Sequence, residues 1–241
     1  MTQFGWRSAN WSGYVKYLSD PEYFSSIKAA WTVPAIVSNP ADPSARVSIW
    51  IGIGGAQVIE GRPDVPGIIQ IGTEARYDPS PPHNPIYFAW WETRSMPGDE
   101  GTTSPSADYP VKPGDRIEAY IVQNLHLAFI KAASWTINIS NLTQGWNFNK
   151  FLTYDLDQQT AEFIVEAPQD RNKNVYPLAD FNQVTFNDCL IDISGIGPNF
   201  SIADGGFMID LKSGNTIAMP SVPNNNNFTV AYGATEPPAP N

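Results

Sequence analysis

The segment TAEFIVEAP places two glutamates on an apolar, strand-like run. Side chains alternate between the faces of a strand, so Glu162, Ile164 and Glu166 share one face. Phe163 and Val165 then lie on the other face. A carboxylate beside packed Ile and Val side chains is costly unless it is paired or used. Carboxyl groups on such a face could transfer protons, which is the work of a general acid or base.

Two further strand-like segments place polar side chains among apolar neighbours. In GIIQIGTEARYD, Gln70 and Glu74 share a face, and in IYFAWWET, Trp90 and Glu92 share a face. If these faces line one sheet, they form a groove with aromatic walls and a few convergent carboxyl and amide groups. The alternative is that they are ordinary solvent-facing strand positions, and spacing alone leaves both interpretations open.

The elements that must position these side chains are strands. The 22 prolines and 18 glycines are spread throughout the chain, and no long window has the apolar spacing of a helix. Gly, Pro, Asn, Asp and Ser clusters separate the alternating segments, and LKSGNTIAM is typical of a hairpin. The pattern predicts an all-β sandwich in a single domain over residues 1–241, with residues 234–241 as a flexible tail. The predicted strands are RVSIWIGIGG, GIIQIGTEARY, IYFAWWET, RIEAYIVQN, AFIKAASWTINISNL, AEFIVEAP, VTFNDCLIDIS and NFTVAYG.

Composition excludes several classes of function. The formal net charge of −10 disfavours nucleic acid and anionic membranes as partners. No apolar run is long enough to form a membrane-spanning helix. Cys189 is the single cysteine, so an internal disulfide and a cysteine-based zinc site are both impossible. His83 and His126 are the only histidines, and neither has the local setting of a catalytic triad.

Seven segments occur in this order along the chain: NWSGY, AAWTVP, WIGIGG, IIQIGTE, YFAWWE, VKPGDRI and AEFIVEAP. Together they resemble the glutamic peptidases, the eqolisins of family G1, formerly grouped as peptidase A4. The resemblance covers most of the chain. It implies two packed, curved antiparallel sheets of the concanavalin A-like lectin and glucanase type. It also implies an acid-active endopeptidase that acts on polypeptides with a glutamine and a glutamate.

By this resemblance the catalytic pair is Gln70 and Glu166, and their chemistry fits peptide hydrolysis. Glu166 as a carboxylate can take a proton from water and return it to the leaving nitrogen. The Gln70 amide can hold that water and donate to the oxyanion, and one such donor is worth about 3 kcal/mol. An ordinary glutamate pKa near ~4.3 would suit work in mild acid. This chemistry requires no metal and no cofactor.

The remaining site residues are assigned supporting roles. Glu92 is expected to organise the groove, and Glu74 is expected to contribute to substrate binding. Trp50 and Trp90 are expected to form its walls, with packing in the core as the alternative. Trp11 is expected to pack between the sheets instead.

The sequence departs from the family pattern at a few points. Many fungal members carry an aspartate where this chain has Gly54 and another near Glu74, so the cleft could be tuned to a higher pH. The chain shows no signal peptide or propeptide, although the family resemblance implies an extracellular mature enzyme. A monomer is the expected oligomeric state.

Two alternatives come from other classes. A glycosidase on the same sandwich could use Glu166 with Glu92 or Glu74 as its two carboxylates. A carbohydrate-binding protein without activity is the other alternative. Gln70 discriminates between a peptidase and these two alternatives. A peptidase needs its amide, whereas a glycosidase or lectin has no evident use for it.

Overall fold

The computed structural model describes residues 4–19, 22–37, 42–55, 67–94, 108–127, 132–154, 158–193, 197–198 and 205–240. These ranges contain fifteen strands and no helix, and therefore no helix able to cross a membrane. The strands are β1 (Trp6–Ser8), β2 (Trp11–Tyr17), β3 (Phe24–Thr32), β4 (Arg46–Gly54), β5 (Ile68–Tyr77), β6 (Pro85–Arg94), β7 (Arg116–Leu127), β8 (Ala132–Asn141), β9 (Trp146–Tyr154), β10 (Thr160–Glu166), β11 (Gln183–Ile193), β12 (Gly197–Pro198), β13 (Gly205–Ile209), β14 (Thr216–Pro220) and β15 (Phe228–Tyr232).

The alternation predicted for β4 is confirmed. Val47, Ile49, Ile51 and Ile53 all point into the main hydrophobic core. Trp50, between them, belongs to a second apolar cluster on the opposite face of the strand. Side chains along this strand therefore alternate between the main core and the second apolar cluster.

The strands form one continuous hydrogen-bonded path that folds into two layers. Its order is β6, β5, β4, β10, β2, β13, β14, β15, β11, β3, β7, β8 and β9. Neighbours are antiparallel, while β1 pairs in parallel with β13 at the side of this path. Trp31 of β3 crosses the core and donates its indole N–H to the Thr73 hydroxyl of β5, at 3.0 Å. The predicted all-β sandwich is confirmed, with β13, β14 and β15 joining its two layers.

The predicted hairpin in LKSGNTIAM is confirmed between β13 and β14. The Asp210 N–H donates to the Asn215 carbonyl at 2.9 Å, which closes the turn. Gly214 has a φ of 72°, a left-handed conformation that glycine adopts without the steric cost of a Cβ.

Strand β9 is not among the predicted strands, and neither are β1, β2, β3 and β12. Its sequence, WNFNKFLTY, interleaves apolar residues with asparagine and lysine, and most of its side chains are exposed or half-buried. The strand lies at one end of the hydrogen-bonded path and pairs with β8 alone. Trp146, Phe148, Leu152 and Tyr154 are partly buried against the main core, so the alternation at the start of this segment is a strand signal that sequence reasoning missed.

The C-terminal segment has contacts with the rest of the chain. Pro237 is buried, and the Asn224 side chain donates to the Pro240 carbonyl at 3.0 Å. The predicted flexibility of residues 234–241 stays a prediction.

Candidate active site

Five neighbouring strands, β6, β5, β4, β10 and β2, present their second face away from the main core, and we call it the site face. The strand register arranges its side chains in three rows across the sheet. The glutamine row is Glu92, Gln70, Gly52, Glu162 and Val15; the tryptophan row is Trp90, Gly72, Trp50, Ile164 and Gly13; the glutamate row is Phe88, Glu74, Ser48, Glu166 and Trp11. The three polar strand faces predicted from the sequence therefore lie on one sheet, as expected.

Glu166 is half-buried and held by two donors. The Trp50 indole N–H donates to its Oε2 at 2.8 Å, and the Asn10 side-chain amide donates to its Oε1 at 3.2 Å. Asn10 is itself 3% exposed, and its Oδ1 accepts a hydrogen bond from the Ser8 hydroxyl. Each carboxyl oxygen is thus fixed by a buried group, which orients the carboxyl on the site face.

The pKa of Glu166 is raised from its ordinary value to about 7. Burial is the largest cause, and the charges of Glu92 and Glu74 raise the pKa further. The Trp50 hydrogen bond lowers the pKa, and so does the nearby Trp11 indole N–H, although the latter falls short of regular hydrogen-bond geometry. The carboxyl is therefore neutral in acid and becomes a base near neutrality, which differs from the ordinary value near ~4.3 expected from the sequence.

Two glycines make room for the Trp50 side chain, which is fully buried (0% exposed). A Cβ added at Gly72 would collide with the Ile49 carbonyl and lie 2.5 Å from the Trp50 Cβ. A Cβ at Gly52 would lie 2.8 Å from Trp50 Cζ3. The indole therefore extends from Gly52 in the glutamine row to the carboxyl of Glu166, where its N–H holds the carboxyl in place.

Replacing Gly72 with alanine is expected to destabilise the protein and to lower its activity together. The new methyl group meets backbone and the base of Trp50, which cannot move aside without shifting β4 against β5. Overpacking of this kind costs about 1–3 kcal/mol, which corresponds to a fall in Tm of roughly 2–12 °C for a chain of this size. Thermal unfolding followed by circular dichroism measures it. An unchanged Tm would show that the strands yield freely at this contact.

Gln70 is nearly buried (8% exposed), and its amide is oriented by Glu92. The Gln70 side-chain N–H donates to Glu92 Oε2 at 2.6 Å. A carboxylate can only accept hydrogen bonds, so this contact fixes which end of the carboxamide faces Glu92. The second N–H of the same nitrogen remains for another acceptor.

Gln70 and Glu166 lie on opposite sides of Trp50, which occupies the middle of the diagonal between them. They share the site face, as the proposed pairing requires. They are two strands apart and two rows apart, and the fully buried Trp50 lies between them. A group that touches both must therefore span this diagonal.

Glu74, between Phe88 and Ser48 in the glutamate row, has two polar neighbours. The Ser48 hydroxyl donates to its Oε2 at 3.2 Å, and the Arg76 guanidinium lies 3.8 Å from its Oε1. Burial raises the pKa of Glu74, while the charge of Arg76 lowers it in part. The roles in substrate binding assigned to Glu74 and Glu92 stay predictions.

The expectation for Trp11 is wrong. Its side chain lies on the site face in contact with Trp50, with ring centroids 5.0 Å apart, instead of packing between the layers. Together with Asn10 it surrounds Glu166, so sequence reasoning missed two residues that contact this carboxyl. The available signal was their place in the motif NWSGY, whose strand pairs directly with β10. Trp90, assigned to the groove wall, is buried in the same cluster.

The site face combines the carboxyl of Glu166, which can transfer protons, with the carboxamide of Gln70, which can donate hydrogen bonds. Both side chains lie beside the second apolar cluster. Among the described residues, no group of three or more His, Cys, Asp or Glu side chains converges as a metal site would require. The carboxyl can act as base or acid near neutral pH, and the carboxamide can stabilise a developing negative charge.

Comparison with known proteins gives a family and a fold. The model of the peptidase A4 family matches residues 9–232. The structure is similar to a crystal structure of scytalido-glutamic peptidase with a transition-state analogue inhibitor, with a TM-score of 0.71 and 23% identity over 93% of this chain and 98% of that chain. A second structure, with a peptide-based transition-state analogue, gives a TM-score of 0.69 and 21% identity over the same shares. These identities show the shared fold. A search of curated proteins finds no match.

Proposed function

We propose that this chain, which belongs to the peptidase A4 family, hydrolyses polypeptides with Glu166 as general base and acid and Gln70 as oxyanion-stabilising amide. The family match covers residues 9–232 of 241 and confirms the resemblance of the sequence motifs. Membership makes the chain a glutamic endopeptidase by class. The mechanism and its residues are our proposal.

In the proposed reaction, the substrate peptide lies over Trp50 with its scissile carbonyl between the two side chains. Ionised Glu166 takes a proton from a water molecule, whose oxygen attacks the carbonyl carbon. The carbonyl oxygen becomes an oxyanion that accepts the free N–H of Gln70. Glu166 then gives its proton to the peptide nitrogen, and the C–N bond breaks. No step needs a metal ion or a cofactor.

The observation that carries this proposal is the setting of Glu166. Buried donors from Trp50 and Asn10 fix both of its oxygens, and its pKa of about 7 allows both proton acceptance and proton donation near neutral pH. The glycosidase alternative is weaker, because its second carboxylate would be Glu92 or Glu74. Glu92 accepts a hydrogen bond from Gln70, and Glu74 is bound by Ser48 and Arg76.

The direct test is digestion of an unfolded protein substrate in the presence of a metal chelator, from about pH 2 to about pH 8. New peptide termini identified by mass spectrometry would support the proposal. Absence of cleavage across this range, or cleavage of a polysaccharide under the same conditions, would contradict it.

The pH dependence follows from the ionisation of Glu166. As a base it must be ionised in the free enzyme, so kcat/KM is expected to fall about tenfold per pH unit below about 7. We therefore expect an optimum closer to neutrality than the acid activity that the family resemblance implies.

The acid limb of the profile is the pH range in which kcat/KM falls as the pH decreases. Two variants should shift this acid limb in opposite directions. Glu92→Gln removes a negative neighbour that raises the pKa of Glu166, so the limb shifts to lower pH. Trp50→Phe removes the indole N–H that favours the carboxylate, so the limb shifts to higher pH. Profiles of kcat/KM against pH measure both shifts. Shifts of the same sign in both variants would mean that the limb reports another group.

A further inference from the structure

A fourth row of side chains lies on the site face, beyond the glutamate row, and the proposed mechanism does not use it. Arg46 of β4 pairs with Arg76 of β5, which pairs with Ile86 of β6. Each is two positions along its strand from a member of the glutamate row, so its side chain points to the same face. We call Arg46, Arg76 and Ile86 the arginine row.

The two arginines of this row are like charges in register on neighbouring strands, an arrangement that destabilises a sheet. Glu74 offsets part of this charge, because its Oε1 lies 3.8 Å from the Arg76 guanidinium. No carboxylate among the described residues forms a salt bridge with Arg46. The pair therefore retains at least one uncompensated positive charge, in a chain whose formal net charge is −10. Neutral side chains here would avoid the repulsion, so stability alone does not explain two arginines.

Aromatic rings hold both guanidinium groups. The Arg46 guanidinium lies 3.5 Å from the centroid of the Tyr176 ring, and the Arg76 guanidinium lies 4.8 Å from the centroid of the Phe88 ring. A guanidinium that stacks by its face keeps its N–H edge available for a planar carboxylate. Both arginines are half-buried, with the Arg76 side chain 38% exposed, so a ligand can reach them from solvent.

Tyr176 reaches Arg46 through the turn that follows Glu166. The Tyr176 N–H donates to the Pro168 carbonyl at 2.9 Å, which closes this turn. The chain then runs beside β4, where the Arg46 N–H donates to the Pro177 carbonyl at 3.0 Å. Backbone hydrogen bonds therefore fix the stacked arginine relative to the carboxyl that the proposed mechanism uses.

Arg46 is the diagonal neighbour of Glu166 on the site face. Glu166 pairs with Ser48, which is two residues from Arg46 on the same strand. The Cα atoms of Glu166 and Arg46 are therefore about 8 Å apart, given the usual strand spacing and rise. An extended peptide advances ~3.3 Å per residue, so a substrate cleaved at Glu166 reaches the arginine row within about four residues.

We propose that Arg46 and Arg76 form a substrate subsite that binds an aspartate or glutamate side chain of the polypeptide, within about four residues of the bond that is cleaved. This inference rests on the proposed function and adds the class of substrate that the site prefers. The carboxylate accepts N–H groups from both guanidinium groups and neutralises the charge that Glu74 leaves uncompensated. A lysine at the same position of the substrate is repelled.

The kinetic test uses peptides with blocked ends, built on a neutral sequence that the wild-type enzyme cleaves. Aspartate, asparagine or lysine is placed in turn at each position up to about four residues from the scissile bond. At one position, aspartate is expected to raise kcat/KM about tenfold over asparagine, and lysine is expected to lower it. Equal kcat/KM for aspartate and asparagine at every position would overturn the proposal.

The ratio of kcat/KM for the aspartate and asparagine peptides is the quantity that variants should change. In Arg46→Gln it is expected to fall from about tenfold to less than about threefold, and in Arg46→Glu lysine should become the preferred residue. Arg116→Gln, the matched control, removes an exposed arginine of β7 and should keep the wild-type ratio. An unchanged ratio in Arg46→Gln would mean that another group binds the carboxylate, and the proposal would be wrong.

A terminal carboxylate offers the same chemistry as an acidic side chain. A neutral peptide with a free C-terminus, placed at the preferred distance from the scissile bond, distinguishes the two sources. Cleavage favoured by the free terminus but not by an internal aspartate would assign the arginine row to chain ends and contradict the proposed side-chain preference.

Binding to Glu166→Gln, measured by isothermal titration calorimetry, separates this proposal from the proposed function. The aspartate peptide is expected to bind about tenfold more tightly than its asparagine counterpart, and the difference should shrink as the salt concentration rises. Cleavage by the wild type without a preference for aspartate would overturn the subsite and leave the proposed function standing. Preferential binding of the aspartate peptide without any cleavage by the wild type would overturn the proposed function and leave the carboxylate site.

Discussion

Replacing Glu166 with glutamine is expected to lower kcat for hydrolysis of an unfolded protein near pH 7 by about 10²- to 10⁴-fold, the range for loss of a general acid–base. The amide cannot take a proton from water at this pH. It can still accept the Trp50 indole N–H, so the shape of the site should persist. KM should change little, because the group acts on the water and not on substrate binding.

The matched control for this variant is Glu118→Gln. Glu118 lies on β7 in the other layer, where it forms a 2.8 Å salt bridge with Lys28 at the surface. Exposed pairs of this kind contribute about 0–1 kcal/mol to stability, so the control should retain full activity. Proteolysis by Glu166→Gln at the wild-type rate would remove the mechanism proposed here, provided that circular dichroism shows both variants folded.

Which side chains share the site face can be predicted from the sequence. Alternation along a strand is a local property, and so it correctly groups Gln70 with Glu74 on β5 and Glu162 with Glu166 on β10. The apolar alternation of β4 likewise predicts which side faces the core. Once the alternation is recognised, the face that each side chain occupies can be predicted without information from distant parts of the chain.

The order of the strands in the sheet does not follow from the alternation of apolar residues along the chain. Strand β10 lies between β4 and β2, which precede it by more than a hundred residues, and this insertion brings Trp50 and Asn10 to Glu166. Pairing of distant strands is set by the packing of the whole core, which no local window contains. Local patterns therefore do not identify Asn10 and Trp11 as contacts of the carboxyl.

The pKa of Glu166 could not be predicted either. It depends on burial under neighbouring side chains and on the charges of Glu92 and Glu74, all of which follow from the three-dimensional arrangement. The family resemblance supplied the proposed pair, Gln70 and Glu166. The structure adds that Trp50 separates the pair, so that a substrate group above the indole would have to join them.

Replacing Gln70 with alanine is expected to lower kcat by about 10²- to 10³-fold, the loss measured when one oxyanion donor is removed from an enzyme site. The Gln70 amide has one N–H committed to Glu92 and one available for the developing charge. Its removal should raise the energy of the tetrahedral intermediate more than that of bound substrate, so kcat should fall while KM stays within about threefold.

Gln70→Met separates the hydrogen bond from the volume of the side chain. Methionine is similar in length but donates no hydrogen bond, so it should be as slow as the alanine variant if the amide acts as a donor. If methionine instead restores kcat, Gln70 serves only to fill space above Gly52, and the oxyanion role is wrong. Single-turnover measurements near pH 7 decide between these outcomes because they report the chemical step separately from product release. Loss in both variants, with the acid limb of kcat/KM still set by Glu166, would assign proton transfer to the carboxyl and charge stabilisation to the amide.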